Sequence, residues 1–157
     1  MQVEGINHIS VTTGDLERAK WFYGEVLGFP LRGEGEESSA AIDRLVGLDG
    51  TRFRWAEYRV GRGQILELLQ YLSPEGTPLT QRPCDPGSAH FAFEVRDIDE
   101  TYARLTEAGV TVRSEPALLD EDDDWRGYRC IYALDTDGFT VEFLQPPSGG
   151  ADGGPMG

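Results

Sequence analysis

One eight-residue pattern is written twice in this chain, and an internal repeat limits the possible folds more than composition does. GQILELLQ fills residues 63–70 and GFTVEFLQ fills residues 138–145, so Gly-x-x-x-Glu-x-Leu-Gln puts Glu67 and Glu142 in one slot. Upstream, HISVTTGDLERAKWFYGEVLG from His8 aligns with HFAFEVRDIDETYARLTEAG from His90. His falls on His, Asp15 on Asp97, Leu16 on Ile98, Glu25 on Glu107 and, with one gap, Gly28 on Gly109. The His-to-Glu separations are 59 and 52 residues, so each half is one copy of a unit bracketed by the same two residue types. The expected organisation is a first module over 1–71, a Pro- and Gly-rich linker over 72–87, a second module over 88–147 and a Gly-rich, disordered tail over 148–157.

Local pattern gives each module the same opening. A short alternating strand leads to an Asp and then to apolar residues at helical spacing: Leu16, Ala19, Tyr23 and Val26 in one half, Ile98, Tyr102 and Leu105 in the other. Asp15 and Asp97 stand where N-caps belong, Glu100 adds a capping-box partner, and Gly28 and Gly109 stand where helices stop. The remainder reads as strands: RFRWAEYRV and GQILELLQY in the first half, GYRCIYAL and GFTVEFLQ in the second, with a turn at Thr136, Asp137 and Gly138. Residues 33–46 fit neither period.

Strand parity then orients the repeated His and Glu. Phe91, Phe93 and Val95 share a face suited to packing under the helix, and His90 and Ala92 share the other; Ile9 and Val11 likewise oppose His8 and Ser10. Leu66 and Leu68 oppose Glu67, and Val141 and Phe143 oppose Glu142. All four polar residues leave the helix-packed face. Two imidazoles and two carboxylates form a donor set suited to a divalent first-row metal, with room for water or substrate. The alternative, four unrelated strand residues, has to explain why the only two histidines fall at one repeat position.

Composition narrows the partners. Fourteen basic against twenty-eight acidic side chains give a net charge of -14, which repels phosphate backbones and anionic lipid, so neither nucleic acid nor membrane is expected. No apolar run is long enough to span a bilayer, and the N-terminus has no basic-then-apolar leader. Cys84 and Cys130 lack framework or metal-site spacing and read as free thiols. A cytoplasmic protein is expected. The acidic run at 120–124 reads as a solvated loop, without Ca²⁺-loop spacing.

Over residues 5–146 the chain resembles the vicinal oxygen chelate superfamily, which includes glyoxalase I, methylmalonyl-CoA epimerase, fosfomycin resistance proteins and extradiol dioxygenases. NHISVTTGDLERAKWFYGEVLGF is similar to its opening motif, and LDTDGFTVEFLQ to its closing Asp-Pro-Asp-Gly motif with Thr136 in place of proline. The resemblance implies an α+β fold of two tandem βαβββ modules forming an open, cupped, eight-stranded mixed sheet. It further implies one divalent ion (Zn, Ni, Co, Mn or Fe) held by His8, Glu67, His90 and Glu142, and a homodimer. The superfamily's shared chemistry is chelation of neighbouring substrate oxygens, the metal stabilising a developing oxyanion.

A fourth candidate ligand, Glu67, points to the proton-transfer branch: an isomerase, epimerase or lyase acting on a small oxygenated carbonyl compound, with Glu142 or Glu67 as the base. Leu48 and Asp49 stand where epimerases of that branch carry a glutamate. Two alternatives remain open, an Fe(II)-dependent ring-cleaving dioxygenase and a metal-free drug-binding resistance protein. The group Arg52, Arg54, Arg59 and Arg62 reads as a solvated strand edge, and the sharper reading is an anchor for an anionic substrate, with Arg54 as a candidate contact. Trp55, Trp125, Arg126 and Tyr128 are further candidate substrate contacts by their position near the closing strands.

Overall fold

Each half of the repeat folds as a strand, a helix and three further strands, the βαβββ order expected of an α+β chain. The structure, a computed structural model, describes residues 2–147. The Gly-rich tail expected over 148–157 lies outside the described residues. The first unit runs through β1 (Ile9–Thr12), α1 (Leu16–Lys20), a π-helical turn (Trp21–Val26), β2 (Leu31–Glu37), α2 (Ala40–Val46), β3 (Arg52–Val60) and β4 (Gln64–Ser73). The second runs through β5 (His90–Glu94), α3 (Ile98–Glu107), β6 (Ala117–Leu118), β7 (Arg129–Leu134) and β8 (Thr140–Gln145). The chain divides between Leu79 and Thr80. Each unit holds a four-stranded mixed sheet, ordered β1-β4-β3-β2 in the first and β5-β8-β7-β6 in the second. The opening strand pairs parallel to the closing one, β1 with β4 and β5 with β8, and the other pairs are antiparallel.

The helix of each unit covers one face of its sheet. Leu16, Ala19, Phe22, Tyr23 and Val26 are buried with Val11, Ala56, Tyr58, Leu66 and Leu68 in the first unit; Ile98 and Leu105 are buried with Ile131, Ala133, Val141 and Phe143 in the second. Burial of each Leu, Ile, Val or Phe side chain among them stabilises its unit by about 1.5–3 kcal/mol. The opposite parity carries His8 with Ser10 and Thr12, and Glu67 with Leu69, as the register of β1 on β4 requires.

Three devices repeat in the two units. Asp15 accepts from the N–H groups of Glu17 and Arg18, and Asp97 from those of Asp99 and Glu100. The remaining first-turn donor is met from the closing strand: Gln70 Oε1 accepts from Leu16 N at 3.3 Å, and Gln145 Oε1 from Ile98 N at 2.8 Å. Asp15 O and Asp97 O accept from Ala19 N and Thr101 N, the first intrahelical bonds, so the three N–H groups before each of them are all met by side chains. The glutamine of the repeated motif is therefore a clamp between the closing strand and the helix. Arg54, opposite Gln70, bonds Glu17 at 2.6 Å; Arg129, opposite Gln145, grips Asp99 with two nitrogens at 2.6 and 2.8 Å. These guanidinium bonds hold the Glu17 and Asp99 carboxyls below their usual range.

One difference between the units was visible as the gap in the repeat. The first helical stretch has one residue more before its terminal glycine, and the extra residue is taken up as π-helix, with Leu27 N donating to Phe22 O at 2.9 Å. Gly28 and Gly109 then stop the two helices at φ 76° and 73°.

Residues 33–46, ambiguous by pattern, divide into β2 and α2. Gly33 and Gly35 of β2 lie under the Trp55 ring, and a Cβ at Gly35 would stand 3.0 Å from the indole. Apolar cover for this strand is thus supplied by β3, which removes the alternation. The acidic residues 120–124 form an exposed loop in which Asp122 pairs with Arg126. Asp135 Oδ1 closes the turn before β8 by accepting from Asp137 N and Phe139 N. Cys84 and Cys130 are free thiols, and among the described residues no helix is long and apolar enough to cross a membrane.

Candidate functional site

Each unit brings its repeated His and Glu side by side on the sheet face away from the helix. His8 Nε2 stands 3.7 Å from Glu67 Oε2, and His90 Nε2 stands 3.2 Å from Glu142 Oε2. The imidazoles are about half exposed and the carboxylates mostly covered, with 21% of the Glu67 side chain and 14% of Glu142 accessible. In both pairs the same ring nitrogen meets the carboxylate.

The first pair is oriented through its other nitrogen. Asn7 Oδ1 lies 2.9 Å from His8 Nδ1. In the tautomer protonated at Nδ1 the ring donates to this amide oxygen, and the Nε2 lone pair is open towards Glu67. Opposite Glu67 on β3 stands Glu57, which is ion-paired with Arg32.

The second pair has different neighbours. Tyr132 on β7 stands opposite Glu142, and its ring centroid is 5.3 Å from that of His90 with the planes tilted by 41°. Burial pushes the Glu142 carboxyl above its ordinary value, an effect that His90 partly offsets by charge and hydrogen bonding. Burial, helped by the Glu142 charge, raises the Tyr132 phenol and the Cys130 thiol as well.

The donor chemistry fits a divalent ion. Two N or O atoms bound to one ion at about 2.1 Å stand about 3.0 Å apart at a right angle and about 3.4 Å apart at the tetrahedral angle. The His90–Glu142 separation falls inside that range, and the His8–Glu67 pair needs to close by a few tenths of an ångström. Within the described residues of each unit, no third His, Cys, Asp or Glu joins its pair to complete a group of three.

The expected substrate contacts separate on inspection. Arg54 is not beside His8 and Glu67: it lies on the helix-packed face, held by Glu17, and helps line a shallow groove of about 300 Å³ with Leu16, Glu34, Gly35, Glu36 and Trp55. Arg52 is likewise paired, with Glu36. Alternation excludes Arg54 from the Glu67 face because Glu57, not Arg54, shares Glu67's side. Trp55 has the parity of Glu57 and lies opposite Leu69 on that face. Trp125, Arg126 and Tyr128 gather in the loop before β7. There Trp125 meets Tyr128 edge-on at 5.3 Å, Tyr128 is buried, and Arg126 bonds Asp122 at 2.9 Å. No hydrogen bond or ring contact among the described residues joins these three to His90 or Glu142. Asn7, Glu57 and Tyr132 escape a reading by motif: Asn7 was legible only as the neighbour of His8, and the other two only once the strand register is known.

A chain of two βαβββ units, each carrying a His–Glu pair on its open face, belongs to the Glyoxalase/Bleomycin resistance protein/Dioxygenase superfamily, whose family model matches residues 5–143. Among curated relatives it is 30% identical over 148 residues to the 2-epi-5-epi-valiolone epimerase of an Actinomyces species, covering 92% of this chain and 80% of that protein. In fold it is similar to a glyoxalase family protein from Bacillus cereus, with a TM-score of 0.82 at 23% identity over 94% of this chain and 97% of that one. It is also similar to the genomically encoded fosfomycin resistance protein from Listeria monocytogenes, solved with Mn(II) and sulfate, with a TM-score of 0.63 at 17% identity over 94% and 96% of the two chains.

Proposed function

We propose that this protein is a divalent-metal-dependent epimerase or isomerase that moves a proton beside the carbonyl of a small oxygenated substrate. His8, Glu67, His90 and Glu142 are the residues that would serve as the ion's ligands, and one glutamate would act as the base. The observation that carries the reading is the doubled His–Glu pair, with Nε2 turned to a carboxylate oxygen at 3.7 and 3.2 Å. One pair supplies two donors, and a protein zinc site commonly takes three or four protein ligands.

When bound, the ion would supply Lewis acidity to a substrate oxygen and so stabilise charge that develops there. The chain's own groups do the rest. Asn7 keeps the His8 Nδ1 proton in place, so that Nε2 remains a donor. Glu67 or Glu142 accepts the proton at Oε; return of a proton to the opposite face of the same carbon would complete an epimerisation, and return to a neighbouring carbon an isomerisation. The relative named an epimerase supports this reaction class.

The test begins with metal analysis of protein purified without chelator, for which about one divalent ion per chain is expected. Incubation with 2-epi-5-epi-valiolone in D₂O should then introduce deuterium into the substrate, stop after stripping and resume when metal is restored. Undiminished exchange by stripped protein would refute the reading. Consumption of O₂ with an added catechol would instead identify a dioxygenase.

A further inference from the structure

Tyr132 flanks both members of the second His–Glu pair. It is the cross-strand partner of Glu142, and its ring lies against the His90 imidazole at 5.3 Å. The corresponding place in the first unit, opposite Glu67, holds Glu57, so the repeat is broken where it touches the pair. The break matches a second difference. His8 is oriented by the Asn7 amide, whereas the residue before His90 is Ala89, whose side chain offers no hydrogen bond. An imidazole with nearly half its surface open has several rotamers available to it, and only some turn Nε2 towards Glu142.

We propose that Tyr132 is a positioning residue whose ring holds the His90 imidazole with Nε2 facing Glu142, the second unit's substitute for the Asn7 hydrogen bond of the first. The proposal rests on the metal reading above and concerns the ring rather than the hydroxyl. Groups that orient a histidine ligand without touching the metal typically change affinity by about 10–100-fold, and a ring contact without a hydrogen bond belongs at the lower end of that range.

The test uses the full chain, stripped of metal and titrated with Zn²⁺ against a competing chelator. Tyr132→Leu, which keeps bulk on β7 without a ring, should weaken Zn²⁺ binding about 10-fold; Tyr132→Phe should bind within about 2-fold of the parent. Because the chain has only two histidines, proton NMR of the stripped protein reads each ring separately. The His90 resonances should lose their ring-current displacement in Tyr132→Leu and keep it in Tyr132→Phe, while those of His8 stay in place. Parent-like Zn²⁺ affinity in Tyr132→Leu, alongside a large loss in His90→Ala, would overturn the proposal and leave the metal reading standing. A Tyr132→Phe variant as weak as Tyr132→Leu would also overturn it, assigning the effect to the hydroxyl. Parent-like affinity in His90→Ala would overturn both.

Discussion

Deleting the Gln145 amide is expected to destabilise the second unit by an amount the structure lets one work out. Gln145 Oε1 accepts from Ile98 N at 2.8 Å, and Ile98 is completely buried. The next two N–H groups bond the Asp97 carboxylate and the one after bonds the Asp97 carbonyl, and among the described residues Gln145 is the partner of Ile98 N. A buried donor left without a partner costs about 1–3 kcal/mol. The bond is only partly buried, so water can reach the vacated position and the lower half of that range applies, about 1–2 kcal/mol. At about 2–4 °C per kcal/mol for a chain of this size, Gln145→Met should lower the melting temperature by about 2–8 °C. Methionine keeps the volume and removes the acceptor, so the change isolates the hydrogen bond. Calorimetry on metal-stripped protein is the right assay, because bound metal adds stability by mass action. A Gln145→Met variant within about 0.5 kcal/mol of the parent, the usual size of an indifferent surface change, would refute the clamp.

Further outcomes follow from the other contacts. Because burial raises the Glu142 carboxyl, the folded metal-free protein keeps that proton to higher pH than the unfolded chain, whose carboxyl titrates near 4.5. The associated stability is present below that pH and is lost as pH rises through the folded value. Glu142→Gln should therefore gain in stability over the metal-free parent as pH is raised from about 4 to 7, while losing metal; denaturant midpoints across that range check it, and a variant that falls behind at neutral pH contradicts it. Asn7→Ala should weaken Zn²⁺ binding about 10-fold in chelator competition, and unchanged affinity would show the Nδ1 bond to be idle. Gly35→Ala sets a Cβ 3.0 Å from the Trp55 indole, so it should cost about 1–3 kcal/mol and shift one of three ¹⁹F resonances in fluorotryptophan-labelled protein.

The helix starts and both closing strands were legible because their signals are local: an aspartate before an apolar period of 3.6, a glycine after it, and alternation broken by a carboxylate. Glu67 and Glu142 were singled out in the same way. The β2 strand was hidden because its cover comes from Trp55 on another strand, leaving Gly33 and Gly35 with no apolar side chain to announce it. The α2 helix was hidden because none of its residues is buried, so nothing enforces a periodic stripe. The direction in which Arg54 points was hidden for a related reason. Its charge and exposure suit a ligand anchor, and only the register of β3 on β4 reveals that it turns to the helix and pairs with Glu17. Tyr132 read as one more aromatic strand residue until the pairing of β7 with β8 set it opposite Glu142.

The clamp glutamines and the two arginine pairs act on one side of each sheet, and the His–Glu pairs act on the other. In a chain built from a repeated module, this separation lets the copies differ. Glu57 in one and Tyr132 in the other occupy equivalent positions, and exchanging them alters what surrounds a carboxylate without disturbing a helix anchor. A designer seeking new reactivity from this scaffold has the same freedom: substitutions beside Glu67 and Glu142 can be combined across the two copies, while the reverse faces are left untouched as the common chassis.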